Sequence, residues 1–192
     1  MASQETRGRL AGRGDEMSNA ILVEIGPGEH PLDGFVTVDC KGGSDYRRDW
    51  GLEQLPFDSN TVDLIYASHC LEHVEWTRTH FALSEAYRVL RPGGAIEIWV
   101  PDFAYLVACY LRGECGDEWR RWNPQGDPMA WLNGRIMAYG DTSNHHRSVF
   151  DYKYLSQCLF RAGFTKVDRI DKTERPRGYD HGPINLGVRA IK

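Results

Sequence analysis

Apolar residues gather in short runs along this chain, each stopped by glycine, proline or a polar turn. AILVEIGPG (20–28) is a compact apolar run closed by glycines and a proline, the texture of a strand covered on both faces in a parallel sheet. FVTVD ends in Asp39, TVDLIYAS (61–68) follows the turn-like PFDSN, and AIEIWVPD (95–102) follows the turn signal RPGG. Between the last two, HFALSEAYRVL (80–90) places apolar residues at 81, 82, 83, 86, 87, 89 and 90, a helical spacing that ends at Pro92. Strand, helix, strand in that order predicts a βαβ unit and a parallel sheet.

The C-terminal part has a different texture. Residues 103–139 are rich in aromatics, with helices expected over 103–112 and 128–139 around the polar WRRWNPQGDP, which reads as an insertion at about 103–150. DYKYLSQCLFRAGF (151–164) has the pattern of an amphipathic helix closed by Gly163; TKVDRI and INLGVRAIK read as strands joined by the basic loop DKTERPRGYDHGP.

Composition narrows the class without naming it. A chain of 192 residues, 41% hydrophobic and 26% charged, is one domain's worth and buries a core without disulfides or structural metal. The 23 basic against 27 acidic side chains, net charge -4, argue against a nucleic-acid partner. Five cysteines with no C-x-x-C pair suit a reducing cytoplasm rather than a disulfide framework. No apolar run is long enough to span a bilayer, and residues 1–18, polar and rich in glycine and arginine, read as a disordered leader preceding the domain at 19–192.

Three places carry chemistry. Glu24-Ile-Gly-Pro-Gly28 closes the first strand where glycines let a ligand approach the backbone, and Asp39 ends the second, where a carboxylate can take both hydroxyls of a ribose. Only nine residues, Gly26 to Gly34, separate these strands, too few for a crossover helix although they reach roughly 30 Å when extended. Without that helix a pyrophosphate lacks its usual N-terminal support, whereas a nucleoside cofactor without phosphates does not need it. The third place is His69-Cys-Leu-Glu-His73, which fits H-x-x-E-H, a zinc-peptidase signature. A zinc peptidase needs a helix already under way and a further ligand; at His69 the chain has just left a strand, so metal-dependent hydrolysis is the weaker reading.

Taken in order, E24-I-G-P-G28, Asp39, D49-W-G-L-E-Q-L-P-F-D58, V62-D-L-I-Y-A-S-H-C-L-E-H-V74, A86-Y-R-V-L-R-P-G-G94 and A162-G-F164 resemble the class I S-adenosylmethionine-dependent methyltransferases, in the type 11 branch. The resemblance spans about residues 20–170 and is greatest to small members associated with polysaccharide and sugar modification. It implies a Rossmann-like α/β fold, a mainly parallel sheet with an antiparallel last strand, and a first crossover helix shortened or absent. It implies S-adenosylmethionine as cofactor and S-adenosylhomocysteine as product, with Glu24, Gly26, Pro27 and Gly28 lining the methionine end and Asp39 and Cys40 at the ribose. Asp49 would face the adenine amino group with Trp50 beside the ring, and Ser68 and His69 would lie under the sulfonium. Some relatives that methylate aromatic hydroxyls bind a divalent cation here through two glutamates and a histidine; His69 stands where the first glutamate would, and no metal is expected.

On the acceptor side, His73, His146 and His69 are the candidate bases, with Asp102 and His145 as further candidates. Tyr105, Tyr110, Trp119, Trp122, Trp131 and Tyr139 could stack on a ring or pack the inserted helices, and Arg175, Arg177 and His181 could meet an anionic acceptor. The expected function is methyl transfer to an oxygen, less readily a nitrogen, of a small molecule such as a sugar, by a cytoplasmic monomer or homodimer without nucleic-acid or membrane partners. The alternative is a cofactor-binding protein that has lost catalysis and acts as a regulatory partner.

Overall fold

A computed structural model describes residues 20–116, 123–139, 144–171, 176–177 and 180–192. The expected leader therefore lies outside the described residues, as do Trp119, Trp122 and Arg175. The strands are β1 (Leu22–Ile25), β2 (Val36–Asp39), β3 (Tyr46–Arg47), β4 (Val62–Ser68), β5 (Leu90–Pro101), β6 (Lys166–Arg169) and β7 (Asn185–Ile191). The helices are α1 (Thr79–Val89), α2 (Phe103–Arg112), α3 (Pro128–Met137) and α4 (Tyr152–Ala162), with short 3-10 turns at Leu71–His73, Trp76–Arg78 and Gly182–Ile184.

These strands form one sheet in the order β3-β2-β1-β4-β5-β7-β6, parallel except for β7, which runs antiparallel to both β5 and β6. The expectation of a mainly parallel sheet with an antiparallel last strand holds. The central strands are apolar because both faces are covered: Val23, Ile25, Ile65, Ala67, Ile96 and Ile98 belong to one core with Ala82, Leu83, Ala86 and Val89 of α1 and Leu155 and Leu159 of α4. A second, smaller cluster joins α2 and α3 through Leu106, Cys109, Trp131 and Leu132, with Ile184 from the turn before β7.

Local chemistry sets the helix ends. Asp102, Asp127 and Asp151 are the N-caps of α2, α3 and α4, each accepting a backbone N–H with its side chain, and Gly113 and Gly163 close α2 and α4 in the left-handed region. No helix stands between β1 and β2; instead the buried Glu24 accepts the Leu32 N–H at 2.7 Å and folds the connection back on the sheet.

Two features departed from the sequence pattern. RPGG, expected as a turn, lies within β5, where pairing slips from Val62↔Leu90 to Leu64↔Ala95. Gly94 makes this irregularity possible, since a Cβ there would sit 2.9 Å from the Arg91 carbonyl and 3.1 Å from those of Val62 and Asp63. β3 went unread because it is a two-residue strand with both residues exposed.

Candidate functional site

β1, β2 and β4 end side by side, and two carboxylates gather at that edge. Gly26 donates its N–H to the Val38 carbonyl at 2.9 Å; its φ is +71°, and a Cβ on it would lie 2.7 Å from Cys70 Sγ. Only glycine fits that position. Asp39 Oδ1 accepts the Lys41 N–H at 2.8 Å, and Asp49 Oδ1 accepts that of Gly51 at 2.9 Å. Both carboxylates are close enough to Cys40 and Cys70 to add to the upward push that burial gives each thiol. Gly26, Asp39, Cys40, Asp49 and Cys70 thus meet at one acidic edge, suited to donors such as a ribose diol and an exocyclic amine and to a cationic group.

Ser68 ends β4, and the chain turns sharply at His69, whose φ of +50° is rare for a residue with a side chain. That turn drives the imidazole between two acceptors: Nδ1 lies 3.1 Å from Glu72 Oε1 and Nε2 2.9 Å from Asn185 Oδ1. The amide orientation of Asn185 is fixed by its Nδ2 donating to Asp180 at 2.7 Å, so its oxygen faces the ring. An amide oxygen and a carboxylate only accept, so this setting favours the doubly protonated ring of His69. Burial works against that charge, but the hydrogen bond and charge of Glu72 outweigh it and raise the His69 pKa. Glu72 mirrors this: burial would raise its carboxyl, yet His69, then the charges of His146 and His73, hold it below the ordinary range.

The other oxygen of Glu72 is the unusual one. The residue is 1% exposed, and Oε2 has no hydrogen-bond partner. One ligand atom each from Glu72, His73 and His146 lies within 4.8 Å of the others. His73 Nδ1 donates to the His145 carbonyl at 3.3 Å, which leaves Nε2 as the lone-pair nitrogen. His146 likewise bonds the Ile136 backbone through its ring, while burial is the main cause of its lowered pKa. A carboxylate oxygen and two imidazoles with one nitrogen each already used as a donor therefore converge, an arrangement able to receive a proton or a divalent cation. They border a cavity of about 280 Å³ that His181 and Tyr139 also line. The His181 ring lies 4.0 Å from that of His69, tilted by 46°, and burial, with the His69 charge, lowers its pKa to about 4.

Several expected site residues are engaged in packing or pairing. Trp50 is 3% exposed in the main core, its indole N–H donating to the Ala82 carbonyl at 2.8 Å. Both ring nitrogens of His69 are engaged, one by Glu72 and one by Asn185, so His73 and His146 are better placed than His69 to accept a proton. Asp102 caps α2 and pairs with Arg169 at 2.6 Å, and Arg177 pairs with Glu97 at 3.2 Å. Trp131, Tyr105 and Tyr110 pack the second cluster, whereas His73 and His146 do come together, their rings 4.9 Å apart. Sequence reasoning did not single out Glu72 by itself or Asn185 at all; Asn185 meets His69 across 116 positions, a separation that leaves no local signal.

The sheet order and its single antiparallel strand are those of the class I S-adenosylmethionine-dependent methyltransferase fold. Residues 46–98 match the family model described as a methyltransferase domain, a span holding Asp49, Ser68, His69, Glu72 and His73. Over 94 residues the chain is 37% identical to the ubiquinone/menaquinone biosynthesis C-methyltransferase UbiE of Cereibacter sphaeroides, covering 47% of this chain and 32% of that protein. The chain thus spans about a third of the length of the curated relatives it matches. Among solved structures, a methyltransferase from Archaeoglobus fulgidus superposes with a TM-score of 0.54 at 16% identity, covering 90% of this chain and 86% of that one. Another from Mesorhizobium loti gives 0.52 at 20% identity and 91% coverage of both.

Proposed function

We propose that this chain is a methyltransferase that passes a methyl group from S-adenosylmethionine to an oxygen of a small-molecule acceptor. The observation that carries this reading is the meeting of two sites at one sheet edge: the acidic rim of Gly26, Asp39 and Asp49, and the Glu72, His73 and His146 cluster beside the end of β4. Asp39 would take the ribose hydroxyls of the bound donor and Asp49 its adenine amine, with Ser68 on the sulfonium side. The donor would supply its methyl group to the acceptor oxygen by in-line displacement, the C–O bond forming as the S–C bond breaks, and the acceptor's proton would pass to the lone-pair nitrogen of His73 or His146. With so good a leaving group, positioning supplies much of the rate and the base only clears the proton. A sugar is the leading acceptor class, supported by the sequence resemblance to sugar-modifying members; the stretch shared with a C-methyltransferase favours an acidic carbon instead.

Mass spectrometry tests this directly, following S-adenosylhomocysteine and methylated product across sugar, phenol and carbon-acid acceptors. His73→Gln and His146→Gln are expected to slow turnover by about 10²- to 10⁴-fold with cofactor affinity retained. Tight cofactor binding with no product from any acceptor would favour the regulatory-partner alternative.

The unpartnered Glu72 Oε2 supports a second reading, in which Glu72, His73 and His146 hold a divalent cation that acidifies the acceptor hydroxyl. Thermal shift with magnesium, manganese and zinc, compared between the native chain and Glu72→Gln, separates the two readings.

A further inference from the structure

A second cavity of about 460 Å³ opens on the far side of His146, lined by Trp76, Ile136, Met137, Val149 and Tyr154. Trp76 is 64% exposed, Met137 49% and Val149 42%, and none belongs to either packed cluster. They come from separate places: Trp76 opens the 3-10 turn before α1, Met137 ends α3, and Val149 precedes Phe150 beside α4. Three elements thus bring large apolar side chains to one groove while leaving them open to solvent, an arrangement more typical of a ligand surface than of scattered exposure. The charges at its rim, Glu75 and Arg147, lie 3.6 Å apart and neutralise each other. His146 borders both this groove and the 280 Å³ cavity where the reacting groups meet.

We infer that the acceptor is amphiphilic: its methylated polar head occupies the histidine cavity and an apolar alkyl or aryl portion extends past His146 into the groove. The inference rests on the methyl-transfer reading and narrows it, because an unadorned sugar fills the first cavity and leaves the second empty. The groove's volume falls within the range of ordinary ligand pockets, and its walls offer contact surface rather than charge.

The test compares octyl β-D-glucoside, below its micelle concentration, with methyl β-D-glucoside, titrated into the full chain with S-adenosylhomocysteine present. Calorimetry reads affinity, and the emission of the exposed Trp76 reports arrival in the groove. The octyl glycoside is expected to bind at least tenfold tighter and to shift the emission to the blue. Val149→Asp is expected to remove that advantage while leaving S-adenosylhomocysteine binding unchanged. Equal binding of the two glycosides, binding of neither, or an octyl advantage that survives Val149→Asp would overturn the inference. So would a homodimer that Val149→Asp splits, which would give the groove to a second copy. Loss of S-adenosylhomocysteine binding in the native chain, with the octyl advantage intact, would instead reject the methyl-transfer reading and keep an apolar ligand groove.

Discussion

One methyl group at position 26 probes the edge of the sheet. Gly26→Ala puts a Cβ against Cys70 at a residue with φ of +71°, so it meets both steric overlap and backbone strain. A loss of about 1 to 3 kcal/mol is expected in thermal or denaturant unfolding. Cys70→Ala removes the Sγ overlap but leaves Cys70 Cβ 2.8 Å away, so it is expected to restore only part of the loss. Full restoration would mean that neither the Cβ overlap nor the backbone strain matters. His181 gives a pH test whose sign is fixed. Its pKa is about 4 in the fold against 6.5 for an ordinary histidine, so between those values the unfolded chain binds more protons and stability falls as the pH drops. His69, raised above 6.5, works the other way: its contribution is present at lower pH and fades as the pH rises through its folded value. His181→Gln is therefore expected to flatten the decline in melting temperature between pH 6.5 and 4; parallel profiles for the two proteins would contradict the assignment. Little of this was legible in the sequence. HCLEH announced that histidines and a carboxylate stood together, and Glu72 of that motif is the main group that raises His69; Asn185 and Asp180, which reinforce it, reach it only through the fold.

At the scale of elements, the connection between β1 and β2 stands in for a crossover helix and is tied to the sheet through the Leu32 N–H bond to Glu24. Glu24→Ala removes the acceptor of the Leu32 N–H. Faster amide exchange at Leu32 is expected, with cofactor affinity weakened roughly fivefold, about the worth of one hydrogen bond. Protection at Leu32 that matches the native chain would show that the loop holds itself. The elements that could be read ahead were those with a long periodic signal: α2 and α4 began and ended within a few residues of their expected positions because aspartate caps, glycine stops and apolar spacing agreed, and α1 did so on apolar spacing alone. RPGG misled for a physical reason. A proline and two glycines mark a turn in isolation, but β4 on one side and Lys192 on the other bind this stretch into a strand, with Gly93 donating to the Lys192 carbonyl at 3.0 Å.

For the whole molecule, the sheet order places an acidic edge and the Glu72, His73 and His146 cluster next to each other, from residues that start at Glu24 and finish at Asn185. Their order along the chain was visible in the motifs, which is why the resemblance pointed to the right fold. The orphaned oxygen of Glu72 and the apolar groove beyond His146 were not, since both are made by segments distant in sequence. The central claim is that this edge binds the methyl donor. Calorimetric titration of S-adenosylhomocysteine into the native chain and into Asp39→Ala tests it most directly. The account predicts saturable one-to-one binding to the native chain and a loss of about 1 to 3 kcal/mol in the variant, as a charge-assisted hydrogen bond to the ribose disappears. No heat of binding to the native chain, or an affinity that Asp39→Ala leaves unchanged, would contradict it.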